Sequence, residues 1–332
     1  MRGWLMDSYE GVEKLRVGEV ADPRPGKGEV LLGVRVAAVN PADAFLAVAQ
    51  YPAKPKLPHI LGRDGVGEVL DVGADVEGVQ VGEMAGILRC NAGVEVWGTL
   101  AEKVVVPAAS LAQIPEGWSV EEMAGAPLVF LTAWQALTQW DEMPAKGSVL
   151  LVTGASGGVG VAAVLLGKSM GLAVVALSRS AEKRAKLEAL GADFVFDPEQ
   201  ENVGRVVLKA LAPRKVDLAI DNVGGALFNQ VVATLGFEGK ISVVGRSGGV
   251  VPEFNTATLF FRRNRIGGVG VGTYTPEQAQ GAWKEIVRRL GEMGRRPVID
   301  SMWGFDDVKA AFARLARGPM GKVLVRVSAA QG

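Results

Sequence analysis

The stretch with the most legible chemistry is 149–160, VLLVTGASGGVG: an apolar run, a turn of small residues, and then a segment through Met170 that reads as an apolar helix. Ala155, Gly157 and Gly160 hold the three small-residue positions of a G-x-G-x-x-G pattern, with alanine in the first. Each position has a physical task. The first turns the chain, the second lets backbone amides approach a pyrophosphate, and the third packs the helix on the strand. Free amides and the dipole at the helix start favour the phosphates. Thr153, Ser156, Gly158 and Val159 complete the turn and are candidate ligands of the same group.

About 20 residues past the motif, after the apolar run 172–177, the chain reads Ser178, Arg179, Ser180. An acid there would accept the ribose 2′-hydroxyl of NAD, but the first acid is Glu182, one turn into the next helix. Arg179 and Lys183 instead put cations where NADP carries its extra phosphate, with Ser178 as a donor. Cations at a helix start oppose the dipole by about a few tenths of a kcal/mol, so a bound anion accounts for them better than chance. The expected cofactor is NADP(H).

The elements that must position these residues follow from periodicity. Strands are predicted at 149–153, 172–177, 193–196, 216–220 and 240–245, alternating with helices at 158–170, 181–190, 201–212 and 225–235. That alternation implies a parallel, doubly wound sheet, with ligands beyond the carboxyl ends of its strands. Asn222 and Val223, on the nicotinamide-ribose side, and the turn Gly245, Arg246, Ser247 fall at those ends. Residues 1–120 alternate short apolar runs with Gly and Pro punctuation and little helical periodicity, which reads as a mostly β domain. A single helix is predicted over 120–140, then an apolar run at 266–272, helices at 276–293 and 306–317, and a closing strand at 322–327. The expected division is 1–122, 123–265 and 266–332, the last returning to the first domain.

Composition removes several classes. Formal net charge is zero, so no basic field exists for nucleic acid or an anionic membrane surface. No apolar segment reaches the roughly 18 residues of a spanning helix, and acids stand where a signal peptide has its apolar centre, so the expected location is cytoplasmic. With one cysteine, Cys90, and one histidine, His59, a disulfide, a Cys/His zinc site and a two-imidazole relay are excluded by count. Residues 153–160 also satisfy a TGxxxGxG pattern that would need a Tyr-x-x-x-Lys pair. Tyr9, Tyr51 and Tyr274 are followed four residues later by Glu13, Pro55 and Gln278, so that pair does not exist.

The order of motifs resembles the zinc-independent branch of the medium-chain dehydrogenase/reductase superfamily, the quinone oxidoreductase-like proteins. The resemblance spans nearly the whole chain. It rests on Asn40-Pro41-Ala42-Asp43 with Tyr51 downstream, GRDGVGEV at 62–69, Leu131-Thr132-Ala133, the GASGGVG turn, Leu190-Gly191-Ala192-Asp193, Asp221-Asn222-Val223-Gly224 and Gly321-Lys322-Val323. It implies a GroES-like mostly-β domain, a Rossmann domain with a doubly wound parallel sheet, a cleft between them, and a homodimer. The positions matching the catalytic zinc ligands of alcohol-dehydrogenase relatives read Pro41 to Asp43, Arg63 and Ala126-Pro127, without histidine or thiol.

By the same resemblance, Asn40 and Thr132 lie against the nicotinamide and Tyr51 hydrogen-bonds an acceptor oxygen. Arg63 is a further catalytic candidate, with a structural pairing to Asp64 or Asp43 as the alternative. The implied activity is hydride transfer from NADPH to a quinone or an α,β-unsaturated carbonyl. Two other readings stand beside it: an acryloyl-CoA-type reductase, with Arg262, Arg263 and Arg265 meeting coenzyme A phosphates, and a non-enzymatic, crystallin-like nucleotide-binding protein.

Overall fold

The computed structural model describes residues 1–200, 202–250 and 254–328. They form two units: Met1–Leu128 with Gly272–Glu285 and the chain from Arg296 onward, and Val129–Val271 with Ile286–Arg295.

The first unit is built on the strand Glu29–Val39 (EVLLGVRVAAV), whose apolar residues are buried along almost its whole length. It pairs antiparallel with Asp64–Val72, Lys103–Pro107 and Lys322–Arg326, so the end of the chain is hydrogen-bonded to its beginning. Val30, Leu32, Leu46, Leu61, Val69, Val104 and Val323 share one core. A second antiparallel sheet of three strands, Arg16–Glu19, Arg2–Met6 and His59–Ile60, completes the β framework.

The mostly β reading of this region holds with one helix added, and the expectation for 120–140 is corrected. A helix, Pro41–Ala47, stands inside the stretch read as β; proline at its first position costs no hydrogen bond, and the Asp43 carboxylate accepts the Asn40 N–H at 2.9 Å to cap it. The predicted helix over 120–140 is two helices, Val120–Gly125 and Pro127–Thr138. Pro127 has no N–H for the ladder and disfavours α geometry before it, so the chain restarts there.

The second unit carries a six-stranded, all-parallel sheet in the order Phe194–Phe196, Ala173–Leu177, Val149–Val152, Val216–Asp221, Leu235–Val243, Arg265–Gly268. In chain order that is 3-2-1-4-5-6, with the reversal between Val149–Val152 and Val216–Asp221 at which Rossmann sheets place their ligands. The strand predicted at 240–245 begins at Leu235, because Gly236, Glu238 and Gly239 hide its first half from any apolar pattern. The helix predicted from 201 runs over Val203–Leu211, and residue 201 lies outside the described residues. Of the run at 266–272, the strand keeps Arg265–Gly268 and a 3-10 turn takes Val271–Thr273. Among the described residues, no helix is long and apolar enough to cross a membrane.

Candidate active site

In the second unit, the turn after Val149–Val152 is built as its spacing predicts. Gly154 adopts φ +56°, the left-handed region open to glycine. A Cβ on Gly160 would come within 2.3 Å of the Gly154 carbonyl, so this glycine is demanded by helix-on-turn packing. Gly157 differs, since a Cβ there would meet nothing nearer than the Gly154 carbonyl at 3.5 Å. Gly157 is the N-cap of the helix Gly158–Ser169 and supplies no side-chain cap, so the amides of Gly158, Val159 and Gly160 head a bare N-terminus.

Asp221, fully buried at the end of Val216–Asp221, ties this turn to its neighbour. Its carboxylate accepts the Thr153 hydroxyl at 2.7 Å and the Gly224 N–H at 3.1 Å. Asn222 donates its backbone N–H to the Thr153 hydroxyl and its side-chain Nδ2 to the Thr153 carbonyl, at 2.9 and 2.8 Å. The Gly245 N–H reaches the Asp221 carbonyl at 3.2 Å and the Ser247 hydroxyl the Asn222 carbonyl at 3.3 Å. Thr153, Asn222, Val223, Gly245 and Ser247 therefore share one rim at the carboxyl end of the sheet, with Arg246 exposed beside them. Sequence reasoning placed Asp221 at a strand end and in a motif, without a role of its own.

At the end of Ala173–Leu177, buried Ser178 approaches the Ser156 hydroxyl at 3.5 Å, joining the glycine turn to the second strand. Arg179 is exposed and pairs with Glu199 at 3.1 Å. Lys183 lies in the first turn of the helix Ala181–Ala189 that Ser180 caps. Arg184, which the sequence did not single out, braces this loop by donating to the carbonyls of Ser178 and Arg179 and to Asp197, at 2.8 to 2.9 Å. Thr132 is half-buried on Pro127–Thr138.

In the first unit, four charged groups lie buried around Asn40. Lys322 Nζ donates to Asp64 Oδ2 at 2.8 Å and to Asn40 Oδ1 at 2.6 Å, and Asn40 Nδ2 donates to Asp64 Oδ2 at 3.0 Å. The other Asp64 oxygen accepts the Leu128 N–H at 3.1 Å. Of the two partners considered for Arg63, the structure chooses Asp43, with Nε 3.9 Å from Oδ1. Burial pushes the Asp43 carboxyl up to about 6, against the pull of Arg63. The Arg63 guanidinium lies over the Tyr51 ring, 4.7 Å from its centroid. Tyr9 spends its hydroxyl on the Pro55 carbonyl, whereas the Tyr51 hydroxyl has no hydrogen bond among the described residues. Asp43 and Asp64 were legible as possible partners of Arg63, but Lys322 only as a letter of a motif, because Asp64 and Lys322 stand 258 residues apart. Burial pushes the Cys90 thiol up, consistent with an inert sulfur.

The three arginines of the coenzyme A reading each have a partner in the second unit. Arg262 donates to the Ala233 and Leu235 carbonyls, Arg263 pairs with Glu238, and Arg265 pairs with Asp141. These contacts brace the end of the sheet, and Arg263 and Arg265 keep 71% and 46% of their side chains exposed.

Residues 26–116 match the family described as alcohol dehydrogenase GroES-like domain, and 158–291 the one described as zinc-binding dehydrogenase. Quinone oxidoreductase-like protein 2 of Mus musculus is 31% identical over 264 residues, 79% of this chain and 73% of that protein. Acryloyl-coenzyme A reductase of Sulfurisphaera tokodaii is 29% identical, covering 94% and 96%. A solved NAD-dependent alcohol dehydrogenase superposes with a TM-score of 0.91 at 30% identity over 99% and 100% of the two chains. A mycobacterial protein complexed with NADPH does so at 0.88 and 25% identity over 98% and 100%. A GroES-like unit and a Rossmann unit with an open glycine turn define an oxidoreductase of the medium-chain dehydrogenase/reductase superfamily. Within it, the chain belongs to the quinone oxidoreductase-like proteins.

The zinc in the second family's description does not fit these residues. The chain has one cysteine and one histidine. His59 is buried on a strand, and no three His, Cys, Asp or Glu side chains converge among the described residues. Every charged group around Asn40 answers another charge, and none is left to ligate a metal.

Proposed function

We propose that this oxidoreductase uses NADPH to reduce a quinone or an α,β-unsaturated carbonyl. The observation that carries the coenzyme choice is Arg179 and Lys183 at the end of the second strand, with no acid in the place that would select NAD. The nicotinamide coenzyme supplies the hydride when bound. The amides from Gly157 to Gly160 and Ser156 would hold its pyrophosphate, and Ala155 keeps the turn tight. Ser178, Arg179 and Lys183 would hold the 2′-phosphate, and the rim of Thr153, Asn222, Val223, Gly245, Arg246 and Ser247 the nicotinamide ribose. Thr132 and Asn40 are assigned to the nicotinamide, with the Asn40 amide fixed by Lys322 and Asp64.

Tyr51 and Arg63 would meet the acceptor oxygen. A cation and a phenol there stabilise charge that develops on that oxygen as hydride adds to the ring or β-carbon, and the phenol is a proton source. The unspent Tyr51 hydroxyl beside a buried guanidinium supports this assignment. The test is coenzyme oxidation with a panel of quinones, enones and enoyl-CoA esters. NADPH oxidation accelerated by a quinone or enone is expected. Binding of NADPH with no acceleration by any of them would defeat the enzymatic assignment, and acceleration by the enoyl-CoA alone would select the reading favoured by the acryloyl-CoA reductase relative.

The two glycines of the turn separate coenzyme binding from folding. Gly157→Ala is expected to fold normally and weaken NADPH binding by about tenfold, because its methyl group occupies space the protein leaves open. Gly160→Ala is expected to lose about 1–3 kcal/mol of stability through its backbone clash. Chemical denaturation and coenzyme titration of both variants read the two effects, and equal effects on stability would contradict the division.

We also propose a homodimer, joined at the strand Arg265–Gly268, which among the described residues pairs on one side alone and leaves an open sheet edge. Phe260 and Phe261 nearby in sequence are 65% and 75% exposed. Light scattering should give twice the 34.8 kDa chain mass, and Phe260→Ser with Phe261→Ser should shift the protein toward monomer. A monomeric wild type at micromolar concentration would overturn this.

A further inference from the structure

Two buried polar atoms of the first unit face each other without a hydrogen bond: Asp43 Oδ1 and Arg63 Nε, 3.9 Å apart. The rest of each group is committed. Asp43 Oδ2 caps the helix Pro41–Ala47 through the Asn40 N–H, which fixes the carboxylate in place. The Arg63 side chain, 10% exposed, lays its guanidinium on the Tyr51 ring. The neighbouring acid is served differently, since Asp64 is in direct contact with Lys322, Asn40 and the Leu128 N–H. Asp43 and Arg63 are thus held to one another by field across a gap.

A cation over an aromatic face is attracted by about 0.5–2 kcal/mol, too little by itself to hold a long side chain in one pose. A fixed, desolvated carboxylate supplies the rest. We propose that Asp43 is a positioning residue for acceptor binding: its carboxylate holds Arg63 on the face of Tyr51, and protonation of Asp43 releases that pose. The proposal rests on the reading that Tyr51 and Arg63 meet the acceptor.

Burial, the Arg63 and Lys322 cations, the Asn40 N–H and the neighbouring Asp64 set the charge on Asp43. Arg63 and Lys322 favour the carboxylate, while burial and the neighbouring Asp64 favour the acid, with the balance near 6. Cys90, within the field of Arg63 and Asp64, stays a neutral thiol because burial raises it. Arg63 should therefore be held above pH 7 and let go below pH 5.

The chain has three tyrosines, so ring-labelled [13C]tyrosine in the full-length protein gives three signals, and Tyr51→Phe assigns one of them. The Tyr51 signal is expected to titrate with a midpoint near 6 in the wild type and to be flat in Asp43→Asn. In parallel, the wild-type acceptor KM should rise about tenfold from pH 8 to pH 5, following the ionised fraction, with kcat changing far less. In Asp43→Asn it should be high and pH-independent. A wild-type Tyr51 signal that does not titrate overturns the proposal whatever the kinetics, and needs no variant to fold. A titrating Tyr51 with an acceptor KM indifferent to pH overturns the acceptor reading, and the proposal with it. A titration of equal size in Asp43→Asn assigns the proton elsewhere and also overturns it.

Discussion

Lys322→Met is expected to lower the unfolding free energy by about 3–5 kcal/mol at pH 7, the cost of leaving one half of a buried pair without the other. Lys322 is 4% exposed and Asp64 fully buried, so water cannot replace the lost ammonium. The substitution keeps the side-chain volume but strips Asp64 of its cation and Asn40 Oδ1 of its donor. What remains on Asp64 is the Asn40 amide and the Leu128 N–H, two neutral donors for a full charge. Urea unfolding of wild type and variant at pH 7 measures the loss. A loss below about 1 kcal/mol would mean that the cluster is better hydrated than its geometry indicates.

Arg179→Ala with Lys183→Ala should raise the NADPH dissociation constant about 10- to 30-fold while changing that of NADH less than about twofold. The lower part of the range for two charge-assisted contacts is appropriate, because Arg179 has 71% of its side chain exposed and already answers Glu199. An exposed pair is screened, so the discrimination should narrow as salt is raised. Arg184 is the control. It grips the Ser178 and Arg179 carbonyls and Asp197, and its loss should disturb the loop and both coenzymes together. Calorimetric titrations with the two coenzymes separate the cases, and equal weakening by the double variant would remove the 2′-phosphate assignment.

Much of the coenzyme side was legible because it is local. The strand, the turn, the helix and the cations that follow lie within about one βαβ unit, where spacing in sequence is spacing in space. The regular alternation after Val149 likewise announced a parallel sheet, and the strand order agrees with it. Legibility failed where a proline divided one apolar periodicity into two helices, and where two glycines and one acid masked the first half of Leu235–Val243.

By itself, then, the sequence determined the class of protein, the glycine turn, the cations beyond the second strand and the absence of a Cys/His metal site. Each is a matter of residue type or short-range spacing. The tertiary structure alone decided that Lys322 neutralises Asp64, that Arg63 answers Asp43 across a gap while covering Tyr51, and that Asp221 ties two loops together. Those pairings join residues distant in the chain, and burial gives them their energy, which no pattern of letters carries.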